Sequence, residues 1–456
     1  MEKPKISIPL PKNVEYILNC IETQGEGFIV GGAVRDSLLG KKPKDYDITT
    51  NLSYQSLSEI FKNHPLKEIG KAFGILTVNI AGEDYEIAQY RKDLQAKDRL
   101  NTEVAFVEKI EDDLSRRDFS FNAMAYNQKR GLIDLFGGRD DLKSKTVRFI
   151  GNPGQRIRED GLRIMRAFRF MSVLNFDLAP ETQQGITENN LEIQKVSPDR
   201  LGEEFSKIIC GQNASQALIR MQETGVLEKI IPEFTATYHY DQNNPHHQED
   251  LFTHTISVVE NTENDPPLRY AALLHDIAKP ASHSIDSHGV SHYYGHDKTG
   301  SIMAREILTR IRLPSKLVED AAELIENHML LNNQLSDRTM AKHIRKLGVE
   351  QFERLIKLNL ADQDGRVSEH HTEQSIRAAE LYLQYQRALK LAQPDLNVKT
   401  LAINGYDIMK YGYSGPAVGK LKEQILQLIL DGSLENQRDS LENFLHKKQQ
   451  KILKSK

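Results

Sequence analysis

The chain has 456 residues with a formal net charge of −4; 39% of the residues are hydrophobic and 27% are charged. This length predicts roughly two to four domains, and the ordinary composition excludes a disordered or fibrous protein. The near-neutral charge excludes a general basic field, and the two distant cysteines exclude a disulfide framework or a cysteine metal site. Because a signal-peptide pattern and a run of ~20 apolar residues are both lacking, we expect a cytoplasmic protein with no membrane segment.

The first 150 residues mix strand and helix patterns. Strands are predicted at residues 28–30, 46–49, 75–80, 86–90 and 131–134. From residue 156 onward, apolar residues recur at helical spacing and strand signals nearly vanish. A further helix is predicted to begin at Pro416 and to end near Gly432. The predicted fold class is therefore α+β, with a mixed sheet and helices in an N-terminal domain and an all-α remainder.

A glycine-rich turn follows the first predicted strand, in the sequence VGGAVRD at residues 30–36. The glycines would let a triphosphate approach the backbone, and the N-terminus of the helix that follows favours negative charge. Arg35 is placed to add a cationic donor. A tight turn without any binding function is the commoner alternative for two adjacent glycines.

Two aspartates, Asp45 and Asp47, follow this turn in the sequence KDYDI. Side chains two residues apart on a strand point to the same face, so the pair is predicted to stand side by side. Adjacent carboxylates repel unless a cation lies between them, and oxygen ligands suit Mg²⁺. Glu86, in the alternating sequence DYEIA, would add a third acid from a neighbouring strand. The alternatives are a solvated edge for the pair and an exposed acid for Glu86.

Two arginine-rich segments come next along the chain. In SRRDFSFNA, at residues 115–123, the arginines, the acid and the amide would suit triphosphate and ribose contacts, with helix capping by Asp118 as the alternative. In REDGLRIMRAFR, at residues 158–169, Asp160 and Arg163 are predicted to lie one helical turn apart.

That second pair has two interpretations. An intrahelical salt bridge is the commoner fate. A fixed acceptor beside a fixed donor would instead match the edges of cytosine and adenine and reject those of guanine and uracil. Arg166 and Arg169 continue the row towards phosphates or a second base.

The motifs VGGAVRD, DYD, RRDF and ED-x-x-R occur in the order and spacing of the class II tRNA nucleotidyltransferase/poly(A) polymerase family, which the segment 25–215 resembles. The resemblance implies a polymerase-beta-like nucleotidyltransferase head, a helical neck that reads the incoming base, and a helical body and tail that grip the tRNA acceptor arm. It implies that Asp45 and Asp47 bind Mg²⁺. The nucleotide contacts that it implies are Gly32, Arg35, Arg117, Asp160, Arg163, Arg166 and Arg169.

Histidines and aspartates form a further constellation in the helical part of the chain. It resembles the HD metal-dependent phosphohydrolase superfamily, and some bacterial tRNA nucleotidyltransferases carry such a domain after the neck. The ligands that the resemblance implies are His254, His275, Asp276 and Asp362, with Asp364 as a rival for the last, and with His296 and His328 as second-metal or phosphate groups. The mixed nitrogen and oxygen set suits Mn, Ni, Co, Fe or Zn about equally. An isolated buried histidine is more often a hydrogen-bonded core residue.

These observations predict four domains: a head at 1–150, a neck at 151–235, an HD domain at 236–375 and a tail at 376–456. The predicted activity is template-independent addition of C, C and A to the 3′ end of tRNA from CTP and ATP, by Mg²⁺-dependent two-metal transfer. Poly(A) synthesis and partial CC or A addition are alternatives, since the loop at 91–101 has Arg99 followed by leucine rather than by a second basic residue and proline. A phosphohydrolase with an RNA-binding head is the alternative of another class.

Overall fold

The computed structural model describes residues 6–67, 70–93, 104–241, 250–288, 290–364, 371–393, 396–430 and 433–454. The chain divides into two compact units. The first contains Met1–Ala236 and Ile307–Pro314, and the second contains Thr237–Glu306 and Ser315–Lys456. The loop at 91–101 falls largely outside the described residues. Within those residues, none of the helices combines the length and the apolar character needed to cross a bilayer.

Thirteen strands lie within the described ranges. They are β1 (Gly27–Val30), β2 (Ile48–Thr50), β3 (Leu66–Lys67), β4 (Ile75–Ile80), β5 (Glu83–Gln89), β6 (Arg91–Asp93), β7 (Val104–Phe106), β8 (Met124–Asn127), β9 (Gly131–Asp134), β10 (Thr146–Val147), β11 (Asp177–Leu178), β12 (Ser284–Ile285) and β13 (Ser291–His292).

The α-helices within the same ranges fall on either side of residue 240. Those before it are α1 (Lys12–Ile21), α2 (Gly32–Leu38), α3 (Tyr54–Ile60), α4 (Ile110–Ser115), α5 (Gly138–Lys143), α6 (Pro153–Glu159), α7 (Leu162–Leu174), α8 (Pro180–Glu188), α9 (Pro198–Ile209), α10 (Ala214–Glu223) and α11 (Leu227–Ile230). Those after it are α12 (Leu251–Glu260), α13 (Pro266–Leu274), α14 (His296–Arg310), α15 (Ser315–Asn327), α16 (Asp337–Leu347), α17 (Val349–Asp364), α18 (His371–Ala392), α19 (Gly405–Met409), α20 (Pro416–Leu430) and α21 (Arg438–Lys454).

A seven-stranded mixed sheet organises the first unit, in the order β3-β4-β5-β2-β1-β8-β9. Only β2 and β5 run parallel, with Ile48 opposite Ile87; the other neighbours are antiparallel. All four residues of the central strand β1 are buried, as expected for a strand covered on both faces. On β5, Tyr85 and Ile87 are buried and Glu86 is exposed, so this strand presents one face to the core and one to solvent.

The strands predicted at 75–80 and 131–134 have the bounds of β4 and β9. The strand predicted at 46–49 begins only at Ile48. Before that residue, only the carbonyl oxygen of Asp47 joins the ladder, where it accepts from the Val30 N–H at 3.0 Å. The two aspartates therefore lie on an extended segment that leads into β2, and not on the strand itself.

The part of the chain after the sheet is helical, as predicted, with two additional short strand pairs, β10 with β11 and β12 with β13. In the first unit α7 packs against α9 and α10, and in the second α17 packs against α12, α13 and α15. The last helices share a core to which α20 contributes Leu421, Ile425 and Ile429, spaced four residues apart. Each such buried side chain contributes about 1.5–3 kcal/mol to the free energy of unfolding.

Candidate functional sites

Asp45 and Asp47 are both exposed, whereas Tyr46 is half-buried and Ile48 is buried. The predicted alternation therefore holds even though the regular strand begins later. Because Ile48 lies opposite Ile87, extending the parallel register by one residue places Asp47 opposite Glu86. Among the described residues, however, these three carboxylates do not form a cluster with all ligand atoms within 4.8 Å of one another. The side chains of the three acids are therefore not gathered tightly enough to ligate one ion as they stand, and the role of Glu86 stays a prediction.

The carboxylates of the pair affect each other electrostatically. Although Asp47 reaches solvent, the surrounding protein removes water from its carboxyl and raises its pKa; Arg117 opposes this rise and Asp45 adds to it. A cation between the two side chains would cancel the repulsion and favour the charged form. Two hard oxygen donors beside an open face fit a divalent ion such as Mg²⁺, which keeps several ligand positions for water or phosphate oxygens.

The glycine turn brings the arginine of the RRDF motif close to the backbone. Gly31 precedes α2 with φ +66°, a left-handed value that side chains with a Cβ rarely adopt. A Cβ on Gly31 would lie 3.1 Å from Nη1 of Arg117, and one on Gly32 would lie 3.5 Å from Nη2 of Arg35. Gly31 therefore leaves room for the guanidinium of Arg117, whereas a side chain at Gly32 would make only an ordinary contact with Arg35.

A buried aspartate that the sequence analysis missed orients the arginine pair. Asp113, on α4, is fully buried and accepts from Nε of Arg116 at 2.9 Å and from Nη2 of Arg117 at 3.2 Å. Burial opposes the charged form of Asp113, but the two arginines prevail and lower the pKa of its carboxyl. The only local signal was its spacing, three and four residues before the arginines.

Asp118, for which helix capping was the alternative expectation, is instead the buried partner of Arg166. It accepts from Nε of Arg166 at 2.6 Å, from the Phe119 N–H at 2.9 Å and from Nδ2 of Asn122 at 3.3 Å. Burial again opposes ionisation, and Arg166 outweighs it, so the pKa of Asp118 is lowered. Asn122 also accepts from Nη1 of Arg35 at 3.0 Å. This network joins the RRDF segment to α2 and α7.

The prediction that Asp160 and Arg163 share one helix is wrong. Asp160 ends α6 with extended backbone, and α7 begins at Leu162. The break lies at Asp160 itself, because Gly161 already has helical dihedral angles. Gly161 is needed for a different reason: a Cβ there would lie 2.3 Å from the carbonyl oxygen of Glu192. Oδ1 of Asp160 accepts from the Leu162 N–H at 3.1 Å, as at the start of a new helix.

The two halves of this pair also have separate partners. Nη2 of Arg200 donates to Oδ2 of Asp160 at 2.9 Å, and Nη1 of Arg163 donates to Glu159 at 2.5 Å. Both side chains are partly exposed, at 28% and 13%. The competing interpretation, a salt bridge between the two, is thus replaced by two ion pairs that hold them separately.

Three predicted arginines converge on one phenylalanine that the sequence analysis missed. The guanidinium carbons of Arg35, Arg166 and Arg169 lie 5.2, 5.8 and 4.4 Å from the centre of the Phe170 ring. Such distances suit cation–π contacts. Arg169 also donates to Glu204 at 3.1 Å. Arg166 and Arg169 of α7 therefore share Phe170 with Arg35 of α2, the helix that follows the glycine turn.

The histidine constellation forms a buried cluster in the second unit. His254 lies on α12, His275 and Asp276 follow α13, and Asp362 lies on α17. Their ligand atoms all lie within 4.8 Å of one another; Nε2 of His254, for example, is 3.1 Å from Oδ1 of Asp362. Asp364, the rival ligand, has no described side chain. A carboxylate and an imidazole 108 residues apart in the sequence thus meet at one point.

Asp276 belongs to a second group as well. Its Oδ2 lies 3.1 Å from Nε2 of His275, whereas its Oδ1 lies 3.4 Å from Nε2 of His296 and 3.9 Å from Nε2 of His328. The ligand atoms of Asp276, His296 and His328 again lie within 4.8 Å of one another. One carboxylate is therefore shared between two sets of nitrogen donors.

The imidazoles are oriented for ligation. Nδ1 of His275, His296 and His328 donates to the carbonyl oxygens of Ala272, Tyr293 and Ile325, respectively, at 2.9, 2.7 and 2.6 Å. These bonds fix the tautomer and turn each Nε2 lone pair towards the cluster, as is typical of metal-bound histidines. The donor set fits a divalent metal with mixed nitrogen and oxygen ligation.

Without a metal, His275 holds a proton in this cluster and His328 does not. Burial opposes protonation of His275, but the carboxylate of Asp276 outweighs it and raises the pKa of His275 to about 10. Burial and the neighbouring His275 lower the pKa of His328 to about 4. Because a metal ligand must be an unprotonated imidazole, metal binding would release the proton that His275 holds.

Comparisons with known proteins match different protein families to separate segments of the chain. Three protein-family models match: the poly A polymerase head domain over residues 27–148, the probable RNA- and SrmB-binding site of polymerase A over 175–237, and the HD domain over 251–403. A CCA-adding enzyme from Bacillus licheniformis is 28% identical over 92% of this chain and 94% of its own. The chain belongs to the tRNA nucleotidyltransferase/poly(A) polymerase family. The part of the chain that matches the HD domain, residues 251–403, contains every residue of the histidine cluster.

Two further relatives resemble the chain, one in sequence over about half of its length and one in three-dimensional structure. A CCA-adding enzyme from Lactobacillus delbrueckii is 39% identical over 47% of this chain and 54% of its own. The crystal structure of the Bacillus stearothermophilus CCA-adding enzyme in complex with CTP has a TM-score of 0.69 and 24% identity, and it covers 98% of this chain and 100% of its own. That likeness shows the shared fold over nearly the whole length.

Proposed function

We infer that the protein is a CCA-adding tRNA nucleotidyltransferase that builds C, C and A onto the tRNA 3′ end from CTP and ATP. The observation that carries this proposal is the exposed Asp45–Asp47 pair within electrostatic reach of Arg117, in a chain whose full-length relatives bear that name. A solved CCA-adding enzyme from Thermotoga maritima complexed with tRNA has the same fold. Because the tRNA substrate is cytoplasmic, we place the enzyme there too.

The reaction is an in-line displacement at the α-phosphorus. The RNA 3′-oxygen forms a bond to phosphorus, the bond to pyrophosphate breaks, and the hydroxyl proton leaves to water. Asp45 and Asp47 would hold Mg²⁺, which when bound lowers the pKa of the 3′-hydroxyl and stabilises charge on the pyrophosphate. Arg117, kept in place by Asp113, and Arg35, kept in place by Asn122, would bind the triphosphate and orient it for attack.

We propose that base selection rests on Asp160 and Arg163. Arg200 and Glu159 hold these side chains in place, and each retains hydrogen-bonding capacity because a carboxylate accepts up to about four bonds and a guanidinium donates five. The carboxylate would accept from the exocyclic amine of cytosine or adenine, and the guanidinium would donate to the ring nitrogen. Guanine and uracil present the reverse order and leave both groups unpaired, which disfavours them.

The test is incorporation of single nucleotides. A tRNA that lacks its CCA end is incubated with Mg²⁺ and with CTP, ATP, GTP or UTP alone, and then with CTP and ATP together. Two additions from CTP, one further addition only when ATP is present, and none from GTP or UTP support the proposal. Long tails from ATP alone indicate a poly(A) polymerase, and products that stop after CC, or that need CC beforehand, indicate a partial enzyme.

We also propose a second activity, hydrolysis of a phosphoester at the histidine cluster. The observation that favours it is the shared carboxylate of Asp276 between two sets of oriented imidazoles, which fits two divalent ions. Water would add to phosphorus, one ribose–phosphate P–O bond would break, and the released oxygen would take a proton. Metal analysis of the purified protein, with phosphate-ester assays before and after chelation, tests this; absence of both metal and hydrolysis rejects it.

A further inference from the structure

Aromatic side chains line one side of the histidine cluster and have no part in the proposals above. His283 stacks on Tyr293 with ring centres 5.4 Å apart and an angle of 25°. Tyr240 meets both rings edge-on, at 6.1 and 6.4 Å. These three rings, here called the aromatic wall, come from the segment before α12 and from both arms of the β12–β13 hairpin.

The aromatic wall begins one side chain away from the metal ligands. Nζ of Lys279 lies 2.7 Å from Oδ2 of Asp276 and 5.7 Å from the centre of the Tyr293 ring. The carbonyl oxygen of Tyr293 accepts from Nδ1 of His296 at 2.7 Å. The backbone of the wall is thus bonded directly to a metal-ligand candidate, so its distance from the cluster is fixed.

Burial separates the aromatic wall from ordinary core packing. His283 is exposed, and Tyr240 and Tyr293 are only half-buried, whereas the cluster residues beside them are buried. Stacking on aromatic side chains, histidine included, is how proteins commonly hold unpaired bases.

We propose that the aromatic wall binds the base of a nucleoside phosphate whose phosphoester lies at the histidine cluster. This proposal rests on the phosphohydrolase activity proposed above and names its substrate class, which a free nucleotide and an RNA end share. A phosphate ester of a simple alcohol would bind at the histidine cluster and Lys279, but it has no base to stack on the rings and would therefore bind more weakly. The aromatic wall would therefore act on substrate binding and hardly at all on the rate of the bound complex.

The test compares two substrates and three variants of the full-length, metal-loaded protein. The substrates are adenosine 2′,3′-cyclic phosphate and the base-free cyclic phosphate of 1-O-methyl ribose. His283→Ala should raise KM for the nucleoside substrate about tenfold, with kcat and both constants for the base-free substrate unchanged. His283→Phe should restore the wild-type KM because it restores a ring. Tyr294→Ala is the matched control, since this exposed ring stacks on His292 and is not part of the wall.

A binding measurement keeps this inference separate from the activity on which it rests. The fluorescence of a 2-aminopurine nucleoside monophosphate is quenched on stacking. Any quenching in the nucleotide site of the first unit is the same in all variants, because both substitutions lie in the second unit. Quenching by the wild type that is lost in His283→Ala and kept in Tyr294→Ala supports the aromatic wall, even if hydrolysis fails and the phosphohydrolase proposal falls. Hydrolysis with equal constants for both substrates, or equal quenching by all variants, overturns the aromatic wall.

Discussion

The carboxylate pair of the first unit and the histidine cluster of the second are both proposed to hold divalent ions, yet they differ in exposure, in the span of sequence that supplies them and in ligand chemistry. Asp45 and Asp47 are exposed, come from one short segment and supply two oxygens. The cluster is buried, draws on helices across more than a hundred residues and mixes nitrogen with oxygen. Mg²⁺ is often held by one or two carboxylates plus substrate phosphates, so the open pair suits an ion that arrives with its nucleotide.

The two sites differ in which side chains the protein holds in a fixed orientation. In the cluster, the ligands themselves are fixed, because carbonyl oxygens orient the imidazoles. In the first unit, the carboxylates are exposed, and the fixed parts are the arginines, each held by an acid or amide such as Asp113, Asp118 or Asn122. Breaking one site should therefore leave the other intact, and the variants below are arranged from the largest expected effect to the smallest.

Asp47→Ala should abolish nucleotide addition, by about a thousandfold or more, because loss of a Mg²⁺ ligand removes several kcal/mol of transition-state stabilisation. Binding of tRNA, measured by filter retention, should persist, and the metal content of the second unit should not change. Glu86→Gln is the matched comparison and should have a smaller effect, since Glu86 comes from a neighbouring strand and keeps an amide oxygen in this variant. Near-normal addition by Asp47→Ala would remove this residue from the site.

His275→Ala combined with Asp276→Ala should remove bound transition metal and phosphoester hydrolysis, yet leave nucleotide addition largely intact. The reason is that both residues belong to the cluster of the second unit. Metal analysis and both assays on one preparation check this, with circular dichroism as the control for folding. Collapse of nucleotide addition in a folded variant would show that the cluster takes part in the transferase reaction.

Asp118→Asn should destabilise the first unit by about 1.5–3 kcal/mol, because a hydrogen-bonded charge partner of Arg166 is lost. The pKa of Asp118 is lowered in the folded protein, so its contribution is complete at neutral pH and disappears only as the pH falls through the folded value, below the ordinary range near 4.

Urea unfolding of wild type and Asp118→Asn between pH 3 and pH 8 measures this difference. It should stay constant from pH 5 to pH 8 and shrink in acid. A difference that grows as the pH falls would have the wrong sign for a carboxylate stabilised by Arg166.

Asp160→Ala and Arg163→Ala should each relax discrimination against GTP and UTP by about 1–3 kcal/mol, a factor of roughly 5–150. Ratios of kcat/KM for the four nucleotides measure it. Arg200→Ala tests positioning, because Arg200 holds Asp160 and should shift the ratios less than Asp160→Ala does. Preserved C and A preference in all three variants would reduce these groups to ion pairs between neighbouring helices.

The sequence predicted regular elements where the signal is local. Alternating apolar residues bounded by glycine set the limits of β4 and β9, and the change of pattern near residue 156 separates the sheet from the helices. The acid pair, the arginine row and the histidine-aspartate dyad were found because side chains of defined chemistry lie a few residues apart. The metal ligation and nucleotide contacts assigned to them stay predictions.

Long-range packing accounts for what the sequence did not predict. Nothing near Gly161 in the sequence shows that the carbonyl oxygen of Glu192 will approach it closely, or that Asp160 before it will be extended and end the helix. Phe170 looks like one more core residue, and nothing within its own helix shows that Arg35 will cross over it. The aromatic wall likewise joins Tyr240 and Tyr293, 53 residues apart, through a hairpin that carries only weak strand signals.

The central claim is that the first unit adds a defined C, C, A end to tRNA. The most direct measurement is the length and order of nucleotides added to a tRNA without its end, followed over time by gel electrophoresis and product sequencing with CTP and ATP both present. We predict intermediates one and two nucleotides longer, accumulation of a product three nucleotides longer that ends in CCA, and no product with Asp47→Ala. Runs of A beyond that length, or growth of the tRNA by the Asp47→Ala variant, would contradict the account.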